Sequence, residues 1–227
     1  FMGKLIVIDG LDGSGKTTKS KLLYEELKNQ GKNVRLISFP NYESEEATLV
    51  KMYLRGDFGD TPDAVNGYAA ATFFSVERYA SFKKNWESFY REDDAIVIAC
   101  RYTTANAVHQ LAKMDRDLWD EYLNWLYDFE YNKMGIPRPD LVLFLEMKPE
   151  VSEKLVAQRN AQTGQALDIH EKDKEYMQRC YKAGLYSSDK LGWERICCYE
   201  GNEPKSVEEL MEVITEKVTM FLDVTKN

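Results

Sequence analysis

The sequence lacks the features of a membrane protein and of a polynucleotide-binding protein. No apolar run approaches the roughly 18 residues that a membrane-spanning helix needs. The first apolar stretch, at residues 5–8, is too short for a secretory signal. There is no lysine and arginine block and the formal net charge is −8, whereas a phosphate backbone requires a basic surface. We therefore expect no membrane and no polynucleotide partner, while a mononucleotide needs only a few local cations.

Metal-binding and disulfide patterns are also missing. The four cysteines, Cys100, Cys180, Cys197 and Cys198, form no C-x-x-C pair, and the two histidines are far apart, so no zinc site is expected. Adjacent Cys197 and Cys198 lie in an apolar segment, and we interpret them as reduced core residues. This favours a reducing, cytoplasmic location.

What the sequence does contain is a regular alternation of strand-like and helix-like segments. Apolar residues make up 44% and charged residues 30% of the 227 positions, which is typical of a globular protein with a buried core. The alternation predicts a three-layer α/β/α fold with a five-stranded parallel sheet. The predicted strands are residues 4–9, 34–38, 95–99, 141–146 and 195–199.

The helical segments complete a single predicted domain over residues 1–227. The predicted helices are residues 16–30, 45–54, 62–90, 103–113, 116–133 and 150–160. A final helix is predicted from the apolar stripe Val207, Leu210, Met211, Ile214, Val218 and Phe221, which repeats every 3.6 residues. Residues 161–170 are polar and without periodicity. We interpret them as a mobile loop, within a lid segment at about residues 160–172.

A phosphate-binding loop follows the first predicted strand. Residues 10–17, GLDGSGKT, fit G-x-x-x-x-G-K-S/T between a buried strand and a helix. Its glycines let backbone N–H groups surround a phosphate, and the helix N-terminus faces the same anion. Lys16 is expected to reach the β- and γ-phosphates of ATP, and the Thr17 hydroxyl to ligate Mg²⁺. The residues expected to hold the nucleotide are Gly10, Gly13, Ser14, Gly15, Lys16, Thr17 and Thr18.

The loop alone does not separate a kinase from a GTPase. A GTPase requires a guanine-reading N-K-x-D segment, and residues 132–135, NKMG, carry Gly135 where the aspartate must stand. Further signals lie after the predicted strands, where ligands of open α/β sheets gather. They are FPNY at residues 39–42, the helical pair Phe74 and Arg78, and then Arg101, Asn106, His109 and Gln110.

In these segments the sequence resembles thymidylate kinases, in a form like those of Gram-positive bacteria. The matching segments are GLDGSGKTT at 10–18, FPNY at 39–42, FFSVER at 73–78, RYTTANAVHQ at 101–110 and PRPDLVLFL at 137–145. With the closing strand and helix, the resemblance covers almost the whole chain. The P-loop is generic, but F-P-x-Y, F-x-x-x-R and R-Y-x-x-x-N together are fairly specific. The resemblance implies a P-loop kinase fold, transfer of the γ-phosphate of Mg-ATP to dTMP, and a homodimer.

The resemblance also implies roles for individual residues. Asp12 would approach the 3′-hydroxyl of the acceptor sugar, Phe74 would stack on thymine, and Arg78 would read a carbonyl edge of the base. Arg101 would hold the acceptor phosphate, and Asn106 would bond the other edge of the base. The catalytic set is Lys16, Arg101 and Asp12, and the remaining acceptor-pocket residues are Phe39, Pro40, Tyr42 and Gln110. His109 is expected to pack at the pocket edge, because an ionised acceptor phosphate requires no general base.

Two positions depart from the family pattern. Cys100 stands where thymidylate kinases have an aspartate, and a thiol lacks the charge with which a carboxylate orders metal-bound water. The lid reads DIHE at residues 168–171, and the P-loop has no arginine, so either Arg159 or Arg179 is a candidate for the catalytic arginine, with Glu171 near the metal. Two alternatives therefore stay open: a kinase for another nucleotide or deoxynucleoside, and a P-loop nucleotide-binding protein with impaired catalysis.

Overall fold

Five parallel strands form the central sheet of the structure, a computed structural model that describes residues 2–164 and 169–225. The strand order is β2-β3-β1-β4-β5, and every neighbouring pair is parallel. The predicted five-stranded parallel sheet is confirmed. The strands are β1 (Lys4–Gly10), β2 (Val34–Ser38), β3 (Ile96–Cys100), β4 (Leu141–Glu146) and β5 (Glu194–Cys197).

Helices follow the strands, as parallel pairing requires of the connections. They are α1 (Lys16–Asn29), α2 (Thr48–Arg55), α3 (Gly67–Ser81), α4 (Glu87–Tyr90), α5 (Thr103–His109), α6 (Trp119–Tyr127), α7 (Pro149–Thr163), α8 (Lys174–Leu191) and α9 (Val207–Val224). Two short strands, β6 (Tyr199–Glu200) and β7 (Glu203–Pro204), pair antiparallel outside the sheet.

The three inner strands, β1, β3 and β4, are buried on both faces because almost all of their residues are apolar. In β1, Leu5 and Val7 join a cluster with residues of α5, α6 and α8, whereas Ile6 and Ile8 join a second cluster with α1 and α9. Successive strand residues point to opposite faces, so one continuous apolar run supplies both layers. The three-layer α/β/α architecture follows from this division.

The two longest predicted helices are interrupted. The segment 62–90 is divided by an extended stretch before Gly67, where the Asn66 side chain accepts a hydrogen bond from the Ala69 N–H and caps α3. It then passes through a π-helical turn, Phe82–Trp86. The segment 116–133 ends in a second π-helical turn, Asp128–Lys133, which continues α6. Periodicity alone does not reveal such wider turns, because they keep an apolar face.

The predicted loop at residues 161–170 is wrong at its start, whereas its last two residues lie in a turn. Helix α7 continues through Thr163 and ends at Gly164, whose φ of 68° provides the left-handed C-terminal cap. At the other end, Ile169 and His170 are buried against α2 and the residues that follow it. Residues 165–168 of the lid lie outside the described residues.

The last predicted strand and helix need smaller corrections. β5 ends at Cys197, and Cys197 is exposed, whereas Cys198 is buried as predicted. In α9, Leu210, Ile214 and Val218 are buried, as the stripe predicted. Val207 is 40% exposed because it starts the helix, and Leu222 takes a buried position that the predicted stripe omitted. Within residues 2–164 and 169–225, no helix has the length and apolar character needed to span a membrane.

The packing of α9 on the sheet can be tested with one substitution at two positions of the same helix. Val218 is fully buried and Val213 is 36% exposed. Val218→Ala should lower the free energy of unfolding by about 2 kcal/mol, because it removes buried methyl groups and leaves a cavity. Val213→Ala should change it by no more than about 0.5 kcal/mol. Urea denaturation of both variants measures the difference, and equal effects would contradict the placement of α9.

Candidate active site

Two adjoining cavities open at the carboxyl ends of β1, β2 and β3. The first, called the P-loop cleft, is lined by residues 13–19 and extends towards Met147, Arg159 and Glu171. The second, called the inner cavity, has a volume of about 40 Å³ and lies between α2, α3 and α5. It is lined by Asp12, Phe39, Pro40, Tyr42, Leu54, Phe74, Arg78, Arg101, Ala105, Asn106, His109, Gln110 and His170.

The P-loop turns because its glycines accept conformations that other residues avoid. Gly13 has φ of 82°, and a Cβ there would lie 2.7 Å from the Ser152 carbonyl oxygen. The loop therefore runs against α7 without room for a side chain. The Ser14 hydroxyl is buried without a hydrogen-bond partner among the described residues. Such an unsatisfied group beside a ring of backbone N–H groups is suited to a phosphate.

Asp12 joins the two cavities. Its Oδ1 accepts a hydrogen bond from Lys16 Nζ at 3.0 Å and another from Arg101 Nη2. Burial alone would raise the pKa of Asp12, but Lys16 and Arg101 outweigh it and hold that pKa well below its ordinary value. Asp12, Arg101 and Tyr42 line both cavities. Two cations and one carboxylate therefore stand where the cavities meet.

Arg101 is held in an uncommon backbone conformation. Its φ is 63°, in the left-handed region that non-glycine residues seldom occupy. The conformation occurs directly after β3 and turns the chain into α5, which starts at Thr103. Burial lowers the pKa of Arg101, but Asp12 opposes this effect and the net shift is upward. The guanidinium thus stays charged at the junction of the cavities.

Cys100 faces the Thr17 hydroxyl. It ends β3 beside Ile8 of β1, is 2% exposed, and its Sγ lies 3.7 Å from Thr17 Oγ1. Asp9, a buried carboxylate in the neighbouring strand β1, accepts hydrogen bonds from the Gly10 N–H and the Thr104 hydroxyl. Burial raises the pKa of Asp9, although Lys16 partly offsets the rise. The position of Cys100 is therefore one from which a side chain can act on the Thr17 hydroxyl.

These residues are compatible with Mg²⁺ bound chiefly by substrate phosphates. Among the described residues, no group of three or more His, Cys, Asp or Glu side chains could hold a metal by itself. Mg²⁺ in phosphoryl-transfer sites typically takes one or two protein oxygens and fills its remaining positions with phosphate and water. The Thr17 hydroxyl, on an exposed residue in the P-loop cleft, can supply one such oxygen.

The inner cavity ends in a buried polar wall. Arg78 is 1% exposed, and its Nε and Nη2 donate to Glu130 Oε2 and Oε1 at 2.8 and 2.5 Å. Burial would lower the pKa of Arg78, but Glu130 keeps that pKa above its ordinary value. Because Glu130 accepts from Nε and Nη2, Nη1 is the part of the guanidinium that can serve a molecule in the cavity.

Asn106 has its amide orientation fixed by its neighbours. Its Nδ2 donates to the Ala71 carbonyl at 3.1 Å and to Glu130 Oε1 at 3.0 Å, both of which only accept. Asn106 Oδ1 is therefore the atom that can accept a hydrogen bond from a molecule in the cavity. Beside it, Gln110 is 1% exposed, and neither side-chain polar atom has a partner among the described residues.

Aromatic rings form the rest of the inner cavity. Phe74 packs edge-on against Tyr53 with 6.1 Å between ring centroids, and Phe39 packs on Tyr102. His109 and His170 stack at 5.3 Å, and Tyr53 Oη lies 2.9 Å from His170 Nε2. Burial lowers the pKa of His109 to about 4 and that of His170 well below its ordinary range, so both rings are neutral at pH 7.

The structure brings together nearly all residues that the sequence predicted for the site. Every residue predicted for the acceptor pocket lines the inner cavity. Gly10 does not line the P-loop cleft, because it packs against the Leu145 carbonyl under the loop. Of the two arginines left open, Arg159 lines the cleft and donates to Glu171 at 2.6 Å, whereas Arg179 pairs with Asp63 outside both cavities.

At the inner cavity, four residues were not predicted. Leu54, Ala105 and His170 line the inner cavity, and Glu130 orients two of its polar groups. His170 could not be placed from the sequence because it comes from the lid. Glu130 did leave a signal: it is a charged residue at helical spacing from Leu126, within the largely apolar stretch WLYDFEY at residues 125–131.

Comparisons with known proteins agree with this geometry. The family model described as thymidylate kinase matches residues 8–225. The thymidylate kinase of Mycobacterium tuberculosis (strain ATCC 25618 / H37Rv) is 31% identical over 177 residues, which cover 77% of this chain and 81% of that protein. The thymidylate kinase of Schizosaccharomyces pombe is 27% identical over 180 residues, covering 79% and 78% respectively.

A solved structure supports the fold. The thymidylate kinase of Candida albicans superimposes with a TM-score of 0.68 over 96% of this chain and 92% of that chain, at 20% identity. At this identity the similarity establishes the fold, and the sequence matches establish the relationship. The chain belongs to the thymidylate kinase family.

Proposed function

We propose that this protein transfers the γ-phosphoryl group of Mg-ATP to dTMP, giving ADP and dTDP. The observation that carries the proposal is the junction of the P-loop cleft and the inner cavity at Asp12 and Arg101. A donor phosphate on the P-loop and an acceptor phosphate at the mouth of the inner cavity would meet there. Family membership supports the same reaction.

Catalysis in this proposal comes from positioning and charge. Lys16 and Arg101, both held by Asp12, would stabilise the negative charge on the phosphoryl group as it moves between donor and acceptor. The Thr17 hydroxyl would ligate Mg²⁺, which neutralises phosphate charge when bound. Arg159 is the favoured lid arginine because it lines the P-loop cleft. No side chain needs to form a covalent intermediate.

The polar wall of the inner cavity matches the edge of thymine. Arg78 offers a donor for a carbonyl oxygen, and Asn106 Oδ1 offers an acceptor for the N3–H. Cytosine presents the opposite pattern at these two positions, an acceptor at N3 and a donor amino group, and so would leave both residues unpaired. Phe74 would stack on the base, while Phe39, Pro40, Tyr42 and Gln110 would enclose it.

We also propose a homodimer in the cytoplasm. One face of α3 exposes three apolar side chains, Tyr68, Val76 and Tyr79, at helical spacing. Although the Tyr68 ring also packs against Tyr122 and Trp125, this exposed stripe supports an interface between two copies of the chain. The reduced state of the cysteines supports a reducing compartment.

The donor site is tested by removing the P-loop amine. Lys16→Ala should lower kcat by at least about 100-fold, because the amine that neutralises the transferring phosphate is lost. The melting temperature should stay close to that of the wild type. Lys21→Ala, an exposed lysine on the same helix, should leave kcat unchanged. A coupled ADP-release assay measures both variants, and undiminished turnover by Lys16→Ala would overturn the donor-site assignment.

The acceptor site is tested with five monophosphates: dTMP, dUMP, dCMP, AMP and GMP. We expect kcat/KM to be highest for dTMP and smaller for dUMP by roughly 10–200-fold, the usual worth of one methyl group. The value for dCMP should be lower still, since its edge leaves buried polar groups unpaired. Use of AMP or GMP as well as dTMP would contradict the thymidylate assignment.

Cys100 is tested by restoring a carboxylate. The Cys100 thiol contacts the Thr17 hydroxyl, so Cys100→Asp should place a negative charge beside it that orders metal-bound water. We expect kcat to rise by about 10- to 100-fold. The KM for dTMP should change little. Cys100→Asn, similar in size but uncharged, is the control and should not raise kcat. An unchanged or lower kcat in Cys100→Asp would show that Asp12 or Glu171 already serves this purpose.

A further inference from the structure

Glu130 is a buried carboxylate that accepts hydrogen bonds from both Arg78 and Asn106, which line the inner cavity. It is fully buried and lies in the π-helical turn after α6, outside every segment that carries the family resemblance. Its Oε1 accepts from Ser75 Oγ at 2.8 Å, Arg78 Nη2 at 2.5 Å and Asn106 Nδ2 at 3.0 Å. Its Oε2 accepts from Arg78 Nε at 2.8 Å and Thr103 Oγ1 at 2.7 Å.

We infer that Glu130 is a positioning residue that sets the base specificity of the acceptor site by orienting Arg78 and Asn106 together. The inference rests on the proposed function, since it takes these two residues as the groups that read the base. Glu130 does not line the inner cavity, so it would act only through them.

The first step in the argument concerns Arg78. A bidentate contact with a carboxylate holds the guanidinium plane in one orientation. Because Glu130 takes Nε and Nη2, the remaining corner of the guanidinium is directed at the cavity that Arg78 lines. Without Glu130 the side chain would carry a buried, uncompensated charge and lose this fixed direction.

The second step concerns Asn106. An asparagine can present either its oxygen or its amino group, and the two choices favour opposite bases. Glu130 is an acceptor only, so it takes the amino group and leaves the Oδ1 for the ligand. A glutamine at position 130 would offer an N–H₂ as well as an oxygen. Of the two acceptor-only partners, the Ala71 carbonyl alone would then hold Asn106 in its present orientation, so the amide could more readily rotate and present its amino group, which suits the N3 acceptor of cytosine.

The location of Glu130 agrees with a functional role. Replacing a buried ion pair by apolar residues is often neutral or stabilising, so stability alone gives little reason for this one. The π-helical turn Asp128–Lys133, which carries Glu130, is a rare conformation that is frequently found at functional sites. It places one carboxylate within hydrogen-bond distance of residues in α3 and α5, including Thr103, with which α5 begins.

The test compares dTMP and dCMP as acceptors for the wild type, Glu130→Gln and Glu130→Asp. Asp140→Asn is the control, because it makes the same carboxylate-to-amide change far from the cavities. Asp140 accepts the Leu5 N–H at the amino-terminal end of β4, whereas the cavities lie at the carboxyl ends of the strands. For each protein the measurements are kcat and KM for both acceptors, KM for ATP, and the melting temperature.

Glu130→Gln should raise KM for dTMP by about 10-fold or more, as expected for lost hydrogen bonds to charged groups. Its dTMP-to-dCMP ratio of kcat/KM should fall by about 10-fold, while KM for ATP stays within about 2-fold. Glu130→Asp keeps the negative charge but moves it away from Arg78 and Asn106, because the side chain is shorter. Its KM for dTMP and its dTMP-to-dCMP ratio should therefore lie between those of Glu130→Gln and the wild type. Asp140→Asn should keep the wild-type ratio.

The outcomes separate this inference from the proposed function. A folded Glu130→Gln with a lower melting temperature but the wild-type KM for dTMP and the wild-type ratio would reduce Glu130 to a structural role and overturn the inference. If Glu130→Gln does not fold, Glu130→Asp decides in the same way: a lower ratio supports the inference and an unchanged ratio overturns it. A wild-type enzyme that uses dTMP and dCMP equally would contradict the proposed function, and with it this inference.

Discussion

The carboxylate of Asp12 is the contact on which the arrangement of the site depends. It accepts hydrogen bonds from Lys16, which begins the helix after the P-loop, and from Arg101, which follows the neighbouring strand β3. In the proposed reaction the first cation serves the donor phosphate and the second the acceptor phosphate. By holding both, Asp12 keeps the two halves of the site in one geometry before any nucleotide is present.

The protein as a whole is acidic, yet its site is cationic. The formal net charge is −8, while Lys16 and Arg78 are buried and Arg101 is partly buried around the two cavities. Burial makes each cation dependent on a carboxylate: Asp12 serves the first two and Glu130 the third. In the proposed complex a mononucleotide would bring its negative charge to the junction, and the thymine edge would meet Arg78 and Asn106, which Glu130 already holds from the other side. This pairing suits a small phosphorylated substrate.

Much of the fold and most of the site could be predicted from the sequence, because they depend on short-range patterns. Apolar β-branched runs define the strands, and the G-x-x-x-x-G-K-T spacing places Lys16 and Thr17. Longer-range events could not be predicted. The π-helical turn that carries Glu130 preserves the apolar periodicity of α6 and so leaves no trace in it. His170 lines the inner cavity through its contact with Tyr53, which lies 117 positions away in the sequence. The outward-facing Cys197 shows the same limit on a smaller scale, since an apolar strand end does not reveal which side chain faces solvent.

The central claim, transfer between the two cavities, is tested most directly by ³¹P NMR of the protein mixed with Mg-ATP and dTMP. The account predicts that resonances of dTDP and ADP grow in equal amounts, and that without dTMP the ATP signal persists and no inorganic phosphate is released. Release of inorganic phosphate with no dTDP, or no change in either nucleotide at any protein concentration, would contradict it.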